Sequence, residues 1–222
     1  MVRKVLLVSG ILSSLLYVVT VVLAAMRWEG YNPASQTVSE LIAIDAPTRP
    51  LVVPLFVTYA LLIYAFGVGV WASDDRKPAL RFAAVGLIGK EVLGLVGTLF
   101  FPMHLREVLA VGGGTSSDTM HATLALLGVL FMLLALGSAA FAFGKRFRLY
   151  SIATILLLIV GGVLTGSDVP RMEANLPTPW MGVWERINIY AYMLWVVVLS
   201  IILLRGKGDR RQEERGGGRH SG

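Results

Sequence analysis

Residues 5–26 read VLLVSGILSSLLYVVTVVLAAM, an apolar run broken only by small or hydroxyl-bearing residues. A helix needs roughly 20 such residues to cross the hydrocarbon core of a bilayer. The run is longer than the apolar centre of a secretory signal, and Arg27-Trp28-Glu29 behind it offers no small-residue cleavage site, so it reads as a membrane span. Further runs occur at 51–71, 82–101, 120–143, 149–166 and 187–204, which makes six spans. The composition agrees, because 55% hydrophobic residues, 15% charged residues and a mean hydropathy of +0.70 are too apolar for a soluble domain of 222 residues. The expected fold is therefore all-α, a polytopic helical bundle over residues 1–205. Residues 206–222 are Gly-rich, basic and without apolar side chains, and are expected to be a disordered tail.

Charge sets the expected orientation. Arg3, Lys4, Arg76, Lys77, Arg81, Lys145, Arg146, Arg148, Arg205, Lys207, Arg210, Arg211, Arg215 and Arg219 all fall on one side of the alternating spans. The other side holds only Arg27, Arg49, Arg106, Arg171 and Arg186, and Lys90 lies within a span. Basic loops are retained in the cytoplasm, so both termini are expected there, in a cell-membrane protein. The net charge of +6 is thus a topology signal and does not argue for a nucleic-acid partner. Lipids are the expected partners. The chain has no cysteine, which removes disulfides, thiolate metal sites and cysteine nucleophiles together.

The segments on the poorly charged, outer side are the longer ones, and connections of that kind usually carry function. Asn32-Pro33 resembles a helix start, with Asn as cap and Pro in the first turn. The spacing predicts a short amphipathic helix over 32–44, lying at the outer interface with Ala34, Val38, Leu41 and Ile42 on one face. Such a lid either caps the bundle or contributes Ser39 and Glu40 to a site.

Helical periodicity then predicts which intramembrane polar residues face protein, since spans associate through small-residue faces and polar contacts. In the fourth span Asp118, His121, Ala125, Gly128, Met132, Ala135 and Ala139 form one stripe. In the third, Lys90 lies inside the arc of Gly86, Gly89, Gly94 and Gly97. The fifth aligns Thr154, Gly161, Thr165 and Asp168, the sixth aligns Glu185, Asn188, Tyr192 and Trp195, and the first offers Gly10, Ser13, Ser14 and Tyr17. The outer cavity is expected to gather Asp118, His121, Asp168, Glu185 and Asn188, with Arg49 and Arg186 nearby. Simpler roles stand beside this reading. Asp118 comes after Thr115-Ser116-Ser117 as a helix-capping acid would, His121 can be a buried structural histidine, and Glu185 complements a helix N-terminus. Lys90 is costly in hydrocarbon and needs a partner. Glu91 projects ~100° away around an ideal helix, which argues against it as that partner.

The residues Asn32-Pro33-x-Ser35-x-x-x-Ser39-Glu40-Leu41, Phe101-Pro102, Thr115 with His121, and Gly182-x-x-Glu185-Arg186 followed by Trp195 stand in an order that resembles the bacterial and archaeal membrane family catalogued as domain of unknown function 998. The resemblance spans most of residues 5–204 and implies the same six-span topology without implying a reaction. More distantly, a lid after the first span and a histidine opening the fourth resemble the Frag1/DRAM/Sfk1 membrane proteins, tied to lipid remodelling and autophagy regulation. The chain departs from the first pattern at Met103-His104, where an acid usually succeeds Phe-Pro, and at Asp118, where a glycine is usual.

Three functions are expected. The first is binding of a lipid or its headgroup in the outer cavity, with Arg49, Arg171 and Arg186 holding an anionic group. The second is a metal-dependent membrane hydrolase, resembling ceramidase-like enzymes in its logic, with zinc or another divalent ion held by His121, Asp118, Asp168, Glu185 or His104. Catalytic candidates are Ser39, Glu40 and His121. No His-x-x-x-His spacing supports it. A proton-coupled transporter built on Lys90 and buried acids is a minor third.

Overall fold

In the computed structural model, which describes residues 1–73 and 78–206, the six apolar runs are six helices long enough to cross a membrane. They are α1 (Val2–Arg27), α2 (Arg49–Trp71), α3 (Ala79–Phe100), α5 (Ser116–Ala142), α6 (Lys145–Ser167) and α8 (Met181–Arg205), while the short α4 (Arg106–Ala110) and α7 (Val169–Glu173) lie in connections. The chain is a multi-pass helical membrane protein. The expectation for the tail falls, beyond Gly206, outside the described residues, as do Arg76 and Lys77.

Each long helix packs against two neighbours, in the cyclic order α1, α2, α3, α5, α6, α8 and back to α1. The closing contact is tied at one end by Arg3, whose guanidinium donates to Ser73 Oγ at 3.0 Å and to the Leu203 carbonyl at 3.4 Å. Both ends of the described chain and the turn after α2 therefore share that end of the ring. The opposite end carries the three longer connections, which knit together as Ile44 N–H donates to the Met103 carbonyl and Val183 N–H to that of Ala34.

Small residues set the closeness of the helices. A Cβ at Gly86 would lie 2.6 Å from Ala135 N and from the Phe131 carbonyl oxygen, so α3 and α5 touch backbone to backbone. At Gly10 the Phe66 ring takes the space, and at Gly161 the Asn188 amide does. Hydroxyls bridge helices where backbone carbonyls are accessible, as Ser14 does to Met193 and Ser200 to Leu7. Trp195 Nε1 donates to Ser151 Oγ at 3.0 Å, binding α8 to α6. The glycine and serine faces of α1, the lower stripe of α5 and the Tyr192–Trp195 face of α8 are buried.

The amphipathic helix expected over 32–44 is corrected. Asn32 does cap, accepting the Ala34 N–H on its side chain at 2.9 Å, but the chain then makes an irregular turn and a single turn of 3₁₀ helix, Ser39–Ile42. The reason is competition for backbone groups. The carbonyls of Pro33, Ser35 and Gln36, which a helix would use internally, instead accept from Arg186 and Arg106, and the Thr37 N–H is taken by the Glu40 carboxylate. Its expected apolar face, Val38, Leu41 and Ile42, is buried with the core, and so is Glu40 from the expected polar face. Asp45 leaves it with a φ of 64°, a left-handed turn that redirects the chain into α2.

Replacing Gly86 by Val is expected to lower the melting temperature in detergent, by an overpacking cost of about 1–3 kcal/mol. Gly137→Ala, where an added methyl meets nothing within 4 Å, should melt as the parent or slightly higher. Equal melting of Gly86→Val and parent would contradict the α3–α5 backbone contact.

Candidate functional site

The loop-bearing end is organised by arginines. Glu40, wholly buried, receives a two-pronged ion pair from Arg106, Nε to Oε1 at 2.7 Å and Nη2 to Oε2 at 2.8 Å, and further bonds from Thr37 N–H and the Gln36 amide. Arg106 also reaches Thr178 Oγ1, which itself donates to the Ser35 carbonyl. Arg186 donates to the carbonyls of Pro33, Gln36 and Gly182 and to the Tyr31 hydroxyl. Burial pushes the Tyr31 phenol well above its ordinary pKa, against the opposing pull of that guanidinium. Arg49 bonds the Ile42 carbonyl and, at 3.2 Å, that of Thr98. Gly182 is small because Pro33 and Gln36 press on it. The 31–48 segment is thus a roof pinned from several sides.

Beneath the roof lies a cavity of about 240 Å³ between α1, α2, α3, α5 and α8. Val38, Ser39 and Ile42 line it from the roof, and Tyr17, Tyr59, Lys90, Glu91, His121 and Glu185 supply its polar wall. Lys90 Nζ lies 2.6 Å from Glu91 Oε1, the same oxygen that accepts the Tyr59 hydroxyl at 2.6 Å. The ammonium also stands over the rings of Tyr59 and Tyr192, at 5.6 and 5.4 Å from their centroids. Glu185 Oε2 accepts the Val38 N–H at 2.5 Å. His121 Nδ1 lies 3.0 Å from the Phe101 carbonyl oxygen, which can only accept, so Nδ1 carries the proton and Nε2 is left as the acceptor of the neutral ring.

The cavity has an exposed rim at Gly94, Ala125 and Val129. At a rise of about 1.5 Å per residue these positions lie about 9 to 20 Å inside the loop-bearing ends of α3 and α5. The opening is therefore sideways, at the depth of the apolar helix surfaces.

The expected outer cluster is only partly assembled. His121, Glu185 and Ser39 line the cavity, and Lys90 does so from α3. Asp118 does not line it. Its carboxylate accepts the backbone N–H of Thr115 and of His104 and pairs with His104 Nδ1 at 2.9 Å, so it caps α5 and holds the 101–115 connection. Asp168 ends α6, and Asn188 turns to α6, where it fills the space beside Gly161. Glu40 is walled off by Arg106. Arg171 donates to the Pro177 carbonyl. Among the described residues no three His, Cys, Asp or Glu side chains group as a metal would require. His104 and Asp118 are spent on each other, and His121, although its Nε2 is free, belongs to no group of three such side chains among the described residues, so these residues do not fit a metal centre.

The case against Glu91 as partner of Lys90 is overturned by the 2.6 Å contact. An ideal-helix angle fixes Cβ directions, but the four-carbon lysine stem is long enough to fold back around α3. Sequence reasoning misses Glu91, Tyr59 and Tyr17 as a group. The signal available was a carboxylate beside an ammonium in the middle of a span.

Several residues that carried the family resemblance meet in the structure: Pro33 with Arg186 and Gly182, and Phe101 with His121. The family model described as "Protein of unknown function (DUF998)" matches residues 11–202. The chain belongs to the DUF998 family. No curated protein and no solved structure matches it.

Lys90→Met is expected to destabilise the protein, by up to about 3–5 kcal/mol, because it strands the Glu91 carboxylate in the ring interior. Adding Glu91→Gln should recover most of the loss. A neutral Lys90→Met, measured by thermal melting in detergent, would contradict the pairing.

Proposed function

We propose that this DUF998 protein binds a membrane amphiphile, which reaches the cavity sideways from the bilayer and places its polar end under the 31–48 roof. The observation that supports the reading is a largely apolar cavity with one polar wall, whose exposed rim lies at apolar depth. An aqueous ligand would need access through the roof, which Glu40, Arg106 and Arg186 hold shut. A lipid needs only the gap beside Gly94 and Ala125. At about 30 Å³ per water in the liquid, the cavity has room for a compact polar head and little more, so acyl chains would run outward along α3 and α5. The basic residues at the opposite end favour a cell-membrane orientation with both termini cytoplasmic, which puts the cavity in the outer leaflet.

A second reading is favoured by one observation. Ser39 and His121 line the same cavity, and the His121 tautomer leaves Nε2 free to take a proton, which are two of the groups an ester hydrolase would need. A fluorophosphonate probe that labels the parent and not Ser39→Ala would support it. An unlabelled parent would reject it.

Native mass spectrometry from a mild detergent tests the binding reading. The parent should retain lipid. Gly94→Phe and Ala125→Phe, which place a ring in the rim, should lose about tenfold in occupancy, equivalent to about 1.4 kcal/mol. Equal retention by parent and both variants would overturn the lateral route.

A further inference from the structure

The cations expected to hold an anionic headgroup are occupied elsewhere. Arg49 lies on the Ile42 and Thr98 carbonyls, Arg171 on that of Pro177, Arg186 on the roof, and Arg106 on Glu40. None of them lines the cavity. The charges that do face it are Lys90, Glu91 and Glu185, and Lys90 is already neutralised by Glu91.

With Lys90 spent on Glu91, and Glu185 on the Val38 N–H and in the field of Arg186, neither sign of ligand finds an unpaired counter-charge. A phosphate would approach two carboxylates and would have to draw Lys90 away from Glu91, in a site where few waters can screen the repulsion. A choline or ethanolamine head would meet the Lys90 ammonium, which already occupies the faces of Tyr59 and Tyr192. Uncharged hydrogen-bonding groups find partners of both kinds. Tyr17 and Ser39 line the cavity, and their hydroxyls make no hydrogen bond with other described residues. His121 Nε2 is an acceptor, Lys90 has further N–H donors beyond the one pointed at Glu91, and the carboxylates accept.

We infer that the cavity selects an uncharged, hydroxyl- or amide-bearing lipid head, such as the free hydroxymethyl of a diacylglycerol or the sugar of a neutral glycolipid, against phosphate- and ammonium-bearing heads. The inference rests on the amphiphile-binding reading above and adds the chemistry of the head. Tyr17 and Ser39 donate to and accept from its hydroxyls, while Lys90 and Glu91 stay paired. A charged group in the head, phosphate or ammonium, breaks that pair and is excluded by it.

The test is competitive loading of the full-length protein in mild detergent with an equimolar mixture of four lipids of identical acyl chains, read by native mass spectrometry. The four are diacylglycerol, monoglucosyl diacylglycerol, phosphatidylglycerol and phosphatidylethanolamine. One or both uncharged lipids should be retained at least about tenfold over either phospholipid, a preference of about 1.4 kcal/mol. Tyr17→Phe and Ser39→Ala, small changes compatible with folding, should each reduce that preference by about threefold or more without increasing phospholipid binding. Preferential retention of a phospholipid that Gly94→Phe abolishes would overturn this inference while leaving the lateral binding reading intact. Retention of no lipid at all would overturn both. Uncharged-lipid retention unchanged in Tyr17→Phe and Ser39→Ala would also overturn the assignment of these hydroxyls.

Discussion

The ion pair between Glu40 and Arg106 is the contact on which the loop-bearing half of the molecule depends. Both side chains are buried, and each leaves the other as an uncompensated buried charge if it is removed. Such a pair adds little net stability over a well-packed apolar alternative, but it is directional. Two carboxylate oxygens facing the planar guanidinium fix the position of the 3₁₀ turn against α4, and Thr178 then ties the same arginine to the connection before α8. Three segments far apart in the chain are registered by one guanidinium. The roof's inner face, Val38, Ser39 and Ile42, is positioned as a result.

Below that roof the bundle answers a different constraint, the cost of polarity in hydrocarbon. The ring satisfies its interior charges locally, with Lys90, Glu91 and Tyr59 sharing one oxygen and two aromatic faces. The remaining hydroxyls and the His121 ring are left facing a space of small volume. Tight contact at Gly86 holds α3 to α5 further down, and the same two helices part around Gly94 and Ala125 to give the rim. Backbone contact and lateral opening are therefore properties of one helix pair.

The range of an interaction decides whether the sequence reveals it. The spans and their buried small-residue faces are legible because periods of three and four residues decide them locally. The family likeness is legible too, since its residues keep a fixed order. Glu40 with Arg106 is not, because 66 residues separate them and nothing in the sequence near Arg106 marks it as other than a loop cation. The outer helix fails for the related reason that arginines from α4 and α8 take its carbonyls. Helical stripes over-predict the site. They place Asn188 and Asp118 in the outer cavity, whereas Asn188 sits beside Gly161 and Asp118 pairs with His104. Arg49 and Arg186, expected beside a ligand, face backbone oxygen instead. Exposed-looking cations beside a long connection serve equally well as its fasteners.

The sideways opening is the claim that gives the cavity its meaning, and the absence of cysteine makes it directly measurable. A spin label on a single cysteine introduced at Ala125, with the protein in lipid bilayers, reports whether its surroundings are apolar or aqueous through collision with oxygen or with a water-soluble nickel chelate. The account predicts collision dominated by oxygen at Ala125, as for a lipid-facing control at Leu130. Collision dominated by the nickel chelate would mean that the cavity opens to water, contradicting a route from the bilayer.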